Sequence, residues 1–135
     1  MIEQQEMQRL FDHFVQGWND QDIATMSACF SPSGDLISTE GRRASGRQAI
    51  VDLLSSEWAK TLRGTQASMT VLSRRPLRPG LVLVDANMEI EGSLIPNGKL
   101  RMHLVILAVK SRGEWWFEAA RPYVPYTKTV LTSLN

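Results

Sequence analysis

Apolar residues recur along the first part of the chain at Met7, Leu10, Phe11, Phe14, Val15 and Trp18, the 3.6-residue period of a helix with one buried face. The polar run Asn19-Asp20-Gln21-Asp22 then supplies turn and N-cap chemistry, since Asp and Asn oxygens accept from the free N–H groups of a helix start. A second, short helix is expected to follow, with Ile23, Met26 and Phe30 inward. Ser31-Pro32-Ser33-Gly34 is expected to end it, because Pro lacks the N–H and Gly accepts left-handed angles. Asp35-Leu36-Ile37-Ser38 reads as a short strand before the polar loop TEGRRASG. Ser45 and Gln48 are spaced as a capping box for a third helix starting at Gly46. Its apolar face is Ile50, Leu53, Leu54, Trp58 and Leu62, and Arg63-Gly64 closes it.

The period then changes to two. Strands are expected over 67–75, 81–91, 99–110 and 114–124, with breaks at Pro76 to Gly80, at Ile95-Pro96-Asn97-Gly98 and at Ser111-Arg112-Gly113, all with Gly or Pro turn chemistry. The second of these strands alternates: Val82, Val84, Ala86, Met88 and Ile90 against Asp85, Asn87, Glu89 and Glu91. One face therefore sits on a core and the other is wet or against a partner. The third carries Leu100, Met102, Leu104, Ile106 and Ala108 on one face and Val105, Leu107 and Val109 on the other. A strand apolar on both faces is covered on both, and a second copy of the chain is one such cover. Helices followed by consecutive antiparallel strands make an α+β domain: three N-terminal helices on one face of a strongly curved, mainly antiparallel sheet.

Composition narrows the class. A chain of 135 residues is expected to form a single domain over 1–135. Hydrophobic residues at 43% and charged residues at 21% are ordinary for a globular protein. A net charge of +1 argues against a nucleic-acid or polybasic membrane partner. Cys29 is the only cysteine, which suits a reducing compartment. No basic-then-apolar leader opens the chain, and the longest mostly apolar run, 104–109, is far below the ~20 residues of a membrane span. A cytoplasmic protein is expected.

WNDQD at the end of the first helix, CFSPSGDLIS, EGRRASGRQAI, RPLRPGLVLVDANMEIEG and the final GEWWFEAARPYVP together resemble the SnoaL-like branch of the NTF2-like superfamily, most closely the SgcJ/EcaC (DUF4440) group. The resemblance covers roughly residues 5 to 125. It implies a cone-shaped domain in which a bent sheet wraps the helices and a pocket opens between them. It also implies homodimers formed through the outer sheet face. Chemistry follows less directly, because the superfamily contains an isomerase, cyclases, an epoxide hydrolase, dehydratases and non-catalytic binding modules.

The residues can be tested against those activities. Isomerase-like chemistry needs a Tyr on the first helix, a carboxylate base after the second, and a protonated Asp on a core strand. The resemblance puts Phe14, Ser38 and Val105 in those places, and none can move the required proton. Epoxide-hydrolase chemistry needs a paired Asp and Arg, which Arg101 and His103 match only in spacing. Two residues remain as candidates. His103, in an otherwise apolar strand, is either a pocket base or a hydrogen-bonded residue on the dimer-facing surface. Alternation from Trp115 and Phe117 carries Arg121 to the core side, where it would anchor an anionic group. The alternative for Arg121 is an ion pair with Asp35 or Glu118.

The expected pocket residues are Phe14, Trp18, Ile37, Trp58, Met88, His103, Arg121 and Tyr123. No metal-ligand cluster, phosphate loop, dinucleotide fingerprint or nucleophile elbow is present, so neither metal nor cofactor is expected. The expected function is binding of a small, mostly apolar ligand. Alternatives are a cofactor-independent cyclase, isomerase or dehydratase acting on a polyketide- or steroid-like substrate, and a non-catalytic dimerisation module.

Overall fold

Helix α1 (Ile2–Asn19) buries Met7, Phe11, Phe14 and Trp18, the stripe its period predicts. Helix α2 (Ile23–Ala28) begins at Asp22, whose carboxylate accepts from Thr25 Oγ1 at 2.7 Å and from the Thr25 N–H at 3.1 Å. Those bonds favour the charged form and hold the carboxyl of Asp22 below its ordinary range. Helix α3 (Arg47–Glu57) runs on into a single π-helical turn (Trp58–Leu62), closed by the Arg63 N–H on the Trp58 carbonyl at 3.1 Å. The computed structural model describes residues 2–125. The expectation of a single domain over 1–135 extends past these, and residues 126–135 lie outside them.

Six strands form one mixed sheet: β1 (Phe30–Ile37), β2 (Arg43–Ser45), β3 (Gln66–Arg78), β4 (Leu81–Glu91), β5 (Lys99–Ser111) and β6 (Glu114–Tyr123). Their order across the sheet is β2-β1-β6-β5-β4-β3, and only the β1–β6 pair is parallel. The arrangement is the expected α+β one, with helices on one face of a mainly antiparallel sheet. The alternation read for β4 and β5 is also present: Val82, Val84, Ala86, Met88, Ile90, Met102, Leu104, Ile106 and Ala108 are all buried. At the centre, the Phe117 ring packs 5.4–5.5 Å from those of Phe11, Phe14 and Phe30. Among the described residues no helix is long and apolar enough to cross a membrane.

Three local expectations are corrected. Phe30 does not end α2 but opens β1, opposite Phe117; burying its ring against β6 overrides the helical spacing. Pro32 and Ser33 do not stop a helix but bulge out of β1, where the register shifts and Pro need not donate to a neighbour. Pairing resumes at Asp35, opposite Ala119, and a Cβ on Gly34 just before it would meet the Phe117 carbonyl oxygen at 2.8 Å. Finally, the loop TEGRRASG contains β2, and Ser45 belongs to that strand instead of capping α3. The cap position is Gly46, at φ 87° and ψ 155°, a conformation that Gly adopts without strain.

The turn before α2 does more than end α1. Gln21 sits at φ 58°, and its side-chain amide makes four hydrogen bonds. Nε2 donates to the Trp18 carbonyl at 2.8 Å and the Thr65 carbonyl at 3.0 Å. Oε1 accepts from Trp58 Nε1 at 3.0 Å and the Gly64 N–H at 2.8 Å. Truncation leaves the buried Trp58 N–H without an acceptor, a loss of about 2–3 kcal/mol. Gln21→Ala is expected to lower Tm by roughly 5–10 °C in a calorimetric scan. Gln21→Gly, which is free of the left-handed backbone penalty, should fall nearly as far; a shift within 1–2 °C for both would show that the amide is dispensable.

Cys29 is buried at the α2–β1 junction, where its thiol donates to the Thr25 carbonyl at 3.5 Å. Burial disfavours the thiolate and pushes its pKa up to about 12. The thiolate fraction at pH 8 is then at least a hundredfold below that of a free cysteine. Iodoacetamide at pH 8 should therefore alkylate the native protein at least a hundred times more slowly than the guanidinium-unfolded chain. Comparable rates would mean that the thiol is open to solvent.

Candidate functional site

A cavity of about 300 Å³ lies between the helices and the sheet, the lower end of the size range of small-molecule sites. Phe14 and Trp18 come from α1, Leu54 and Glu57 from α3, and Trp58, Thr61 and Leu62 from the π turn. The sheet contributes Phe30 and Leu36 from β1, Met88 from β4, Leu100, Met102, Leu104 and Ile106 from β5, and Phe117, Ala120 and Pro122 from β6. Thr39, Glu40 and Thr61 line the cavity and are exposed, so they stand at its mouth.

The wall is apolar because its tryptophans spend their polar atoms elsewhere. Trp18 and Trp58 pack edge to face with centroids 4.6 Å apart. Trp18 Nε1 donates to Thr65 Oγ1 at 2.9 Å, and Trp58 Nε1 donates to Gln21 at 3.0 Å. Both N–H groups are thus satisfied by the scaffold, leaving ring surface for a ligand. Ser38 is similarly occupied. Its Oγ accepts from the Glu40 and Arg42 N–H groups, each at 3.3 Å, and so shapes the loop at the mouth.

Of the eight pocket residues expected from sequence, the structure brings Phe14, Trp18, Trp58 and Met88 together around the cavity. Ile37, His103, Arg121 and Tyr123 are instead on the outer face of the sheet, away from it. One bulge explains Arg121 and Tyr123. Leu107 pairs with Ala119 and Ala108 with Phe117, which leaves Glu118 unpaired in β6. Glu118 accepts instead from Ser31 Oγ at 2.7 Å and Ser33 Oγ at 3.1 Å. The extra residue shifts the parity of everything after it. Trp115 and Phe117 are inward before the bulge, and Ala120 and Pro122 are inward after it.

Arg121 therefore points outward, where Nη1 donates to Asp35 Oδ1 at 2.6 Å and to the Ala120 carbonyl at 3.0 Å. The ion-pair alternative is the one the structure contains. His103 is also outward. Nδ1 lies 3.1 Å from Asn87 Oδ1, Nε2 lies 3.2 Å from Asp85 Oδ1, and the ring packs 5.0 Å from that of Tyr123. The pocket base and pocket anion anchor assigned to His103 and Arg121 are thereby removed, and with them the catalytic scheme built on that pair.

Glu57 was missed. It is only 8% exposed, it lines the cavity, and its Oε1 has no hydrogen-bond partner among the described residues. A signal existed: Glu57 falls between Leu54, Trp58 and Thr61 at helical spacing, on the face that α3 turns inward. Gln21 was read only as turn chemistry, because nothing local shows what a side-chain amide will meet across the fold.

No protein-family model and no curated protein matches the chain. Solved structures do. A domain of unknown function with a cystatin-like fold from Nostoc punctiforme superposes with a TM-score of 0.85 at 17% identity, over 99% of this chain and 84% of that one. A putative scytalone dehydratase from Novosphingobium aromaticivorans gives 0.79 at 16% identity, over 93% and 85%. An NTF2-like protein of unknown function from Shewanella oneidensis gives 0.75 at 13%, over 90% and 98%. At these identities the likeness concerns the backbone, and what it establishes is that this chain has the cystatin-like, NTF2-like fold.

Proposed function

We propose that the protein binds a small, mostly apolar molecule in the cavity between its helices and sheet, as a member of the SnoaL-like branch of this fold. The observation that carries the reading is the cavity wall. About 300 Å³ is bounded by Phe14, Trp18, Trp58, Phe117 and a row of Met and Leu side chains, with tryptophan N–H groups tied off in the scaffold. Apolar burial at roughly 25 cal/mol per Å² supplies the affinity of such a site. Solved structures with this fold include a putative scytalone dehydratase and a hexachlorocyclohexane dehydrochlorinase, both of which by name act on small organic molecules.

The active unit in this reading is a homodimer joined through the outer sheet face. Val105, Leu107 and Val109 form a half-buried apolar row there, continued by Leu83 across the β4 register and Ala119 across that of β6. A contiguous apolar face of this kind on a small domain marks an association surface.

Two measurements test these statements. Butylbenzene, a neutral probe without hydrogen-bonding groups, is expected to quench or shift tryptophan fluorescence and raise Tm, because Trp18 and Trp58 line the cavity. Ala120→Phe, which fills the space from β6, should abolish both effects while leaving the unliganded Tm near that of the wild type. An identical response in the filled variant would place the probe elsewhere. Light scattering on a sizing column should give twice the chain mass at micromolar concentration, and Leu107→Glu should halve it. A wild-type protein that elutes as one chain would sink the dimer.

A further inference from the structure

The cavity's only charged side chains among the described residues are two carboxylates, Glu40 and Glu57, with no Lys, Arg or His in its lining. They differ in setting. Glu40 is an exposed residue at the mouth. Glu57 is more than nine-tenths buried, between Leu54 and Trp58 in the lining. Its Oε1 is buried and has no hydrogen-bond partner among the described residues. A glutamate is almost never buried to this degree unless paired, and a buried acceptor without a donor is among the exceptions that call for an explanation.

Donors on the neighbouring elements bond elsewhere. The nearby Trp58 N–H is committed to Gln21, the Arg42 guanidinium donates to Ser56 Oγ at 3.2 Å, and Arg47 Nε donates to the Phe30 carbonyl at 2.8 Å. The hydroxyls in the lining, Ser38, Thr39 and Thr61, make no hydrogen bond to Glu57 Oε1, and the rest of the wall is aliphatic or aromatic. No donor of the described residues meets Oε1, and Glu57 is part of the cavity lining, so a molecule in the cavity is placed to supply a donor to this carboxylate.

Resting on the ligand-binding reading above, we infer that Glu57 is the polar anchor of the site, and that its ligand is a compact apolar molecule carrying an amine that donates to the Glu57 carboxylate. This reverses the charge preference expected from Arg121. A carboxylate-bearing ligand would meet Glu57 and Glu40 and find no cation, and like charges in a low-dielectric site repel strongly. An ammonium gains a charge-assisted hydrogen bond that a hydrocarbon of the same shape cannot form.

The test compares 4-phenylbutylamine, 4-phenylbutyric acid and butylbenzene by isothermal titration calorimetry on wild type and Glu57→Gln. The wild type is expected to bind the amine at least tenfold more tightly than butylbenzene, and the acid more weakly than either. In Glu57→Gln, which keeps the shape, the amine should lose its advantage to within about threefold while butylbenzene is unchanged. Butylbenzene binding with no preference for the amine, or with the acid preferred, overturns the role of Glu57 and leaves the apolar pocket standing. Failure of all three probes takes down the pocket reading and this inference together. Thermal melts of Glu57→Gln and Glu57→Leu give an independent readout. A side chain kept for a ligand predicts an unliganded Tm equal to or above wild type, whereas a fall of several degrees in both would show that the carboxyl supports the fold instead.

Discussion

The cavity depends on one side-chain amide. Gln21 stands where three parts of the chain meet: the end of α1, the turn after α3 and the start of β3. Its four hydrogen bonds reach the backbone of Trp18, Gly64 and Thr65 and the indole of Trp58. Neighbouring polar groups extend the link. Thr65 Oγ1 accepts from Trp18 Nε1 and donates to the Leu62 carbonyl at 2.7 Å. Asn19 bridges to both backbone groups of Ala67. Without these bonds the two indoles would have unpaired N–H groups, and an apolar wall would not be stable as one. The polar network is thus what allows the adjoining surface to be dry.

The sequence was most informative where one face of an element is buried along its length. The periods of α1, β4 and β5 survive in the structure because each packs its apolar residues on a single core, and no local irregularity interrupts them. Reading failed at discontinuities. The bulge at Glu118 has no signature in the alternation of GEWWFEAARPY, since both parities there offer apolar and polar residues. A single inserted residue was enough to carry Arg121 and Tyr123 across the sheet. Phe30 and Pro32 were misread for a related reason, as the partner that turns this stretch into a strand is β6, some 85 residues later in sequence. Phe14, Trp18 and Met88 line the cavity from elements whose period is intact, and Trp58 from the first residue of the π turn; His103 also lies on such an element, on the face that the alternation of β5 turns outward. Glu57 lay on such an element too, but a charged residue is ordinarily assigned to solvent.

The two faces of the sheet divide the chemistry. The cavity against the inner face holds a carboxyl, that of Glu57 on α3, in a mostly apolar lining, whereas the outer face carries the Asp35–Arg121 pair and the His103 cluster with Asp85 and Asn87. Asp35, Arg121 and Asp85 are each about a third or more exposed, so water screens their interactions and they add little to stability. The surroundings of Glu57 differ, since its side chain is buried in a mostly apolar lining where water screens far less.

The parallel pairing of β1 with β6 also imposes an order of assembly. β1 and β2 are made early in synthesis, yet among the described residues β1 reaches the β3–β5 meander only through β6, the last of these strands in chain order. The meander β3–β4–β5 can form from near neighbours, joined by short turns. The β1–β6 contact must instead close a loop of more than eighty residues, the slow kind of step in which loop-closure entropy is lost before any contact is gained. Leu36, Ala120 and Pro122 meet at the cavity only after that step. A folding chain therefore holds its helices and hairpins before it holds a cavity, and the cavity is sealed by β6.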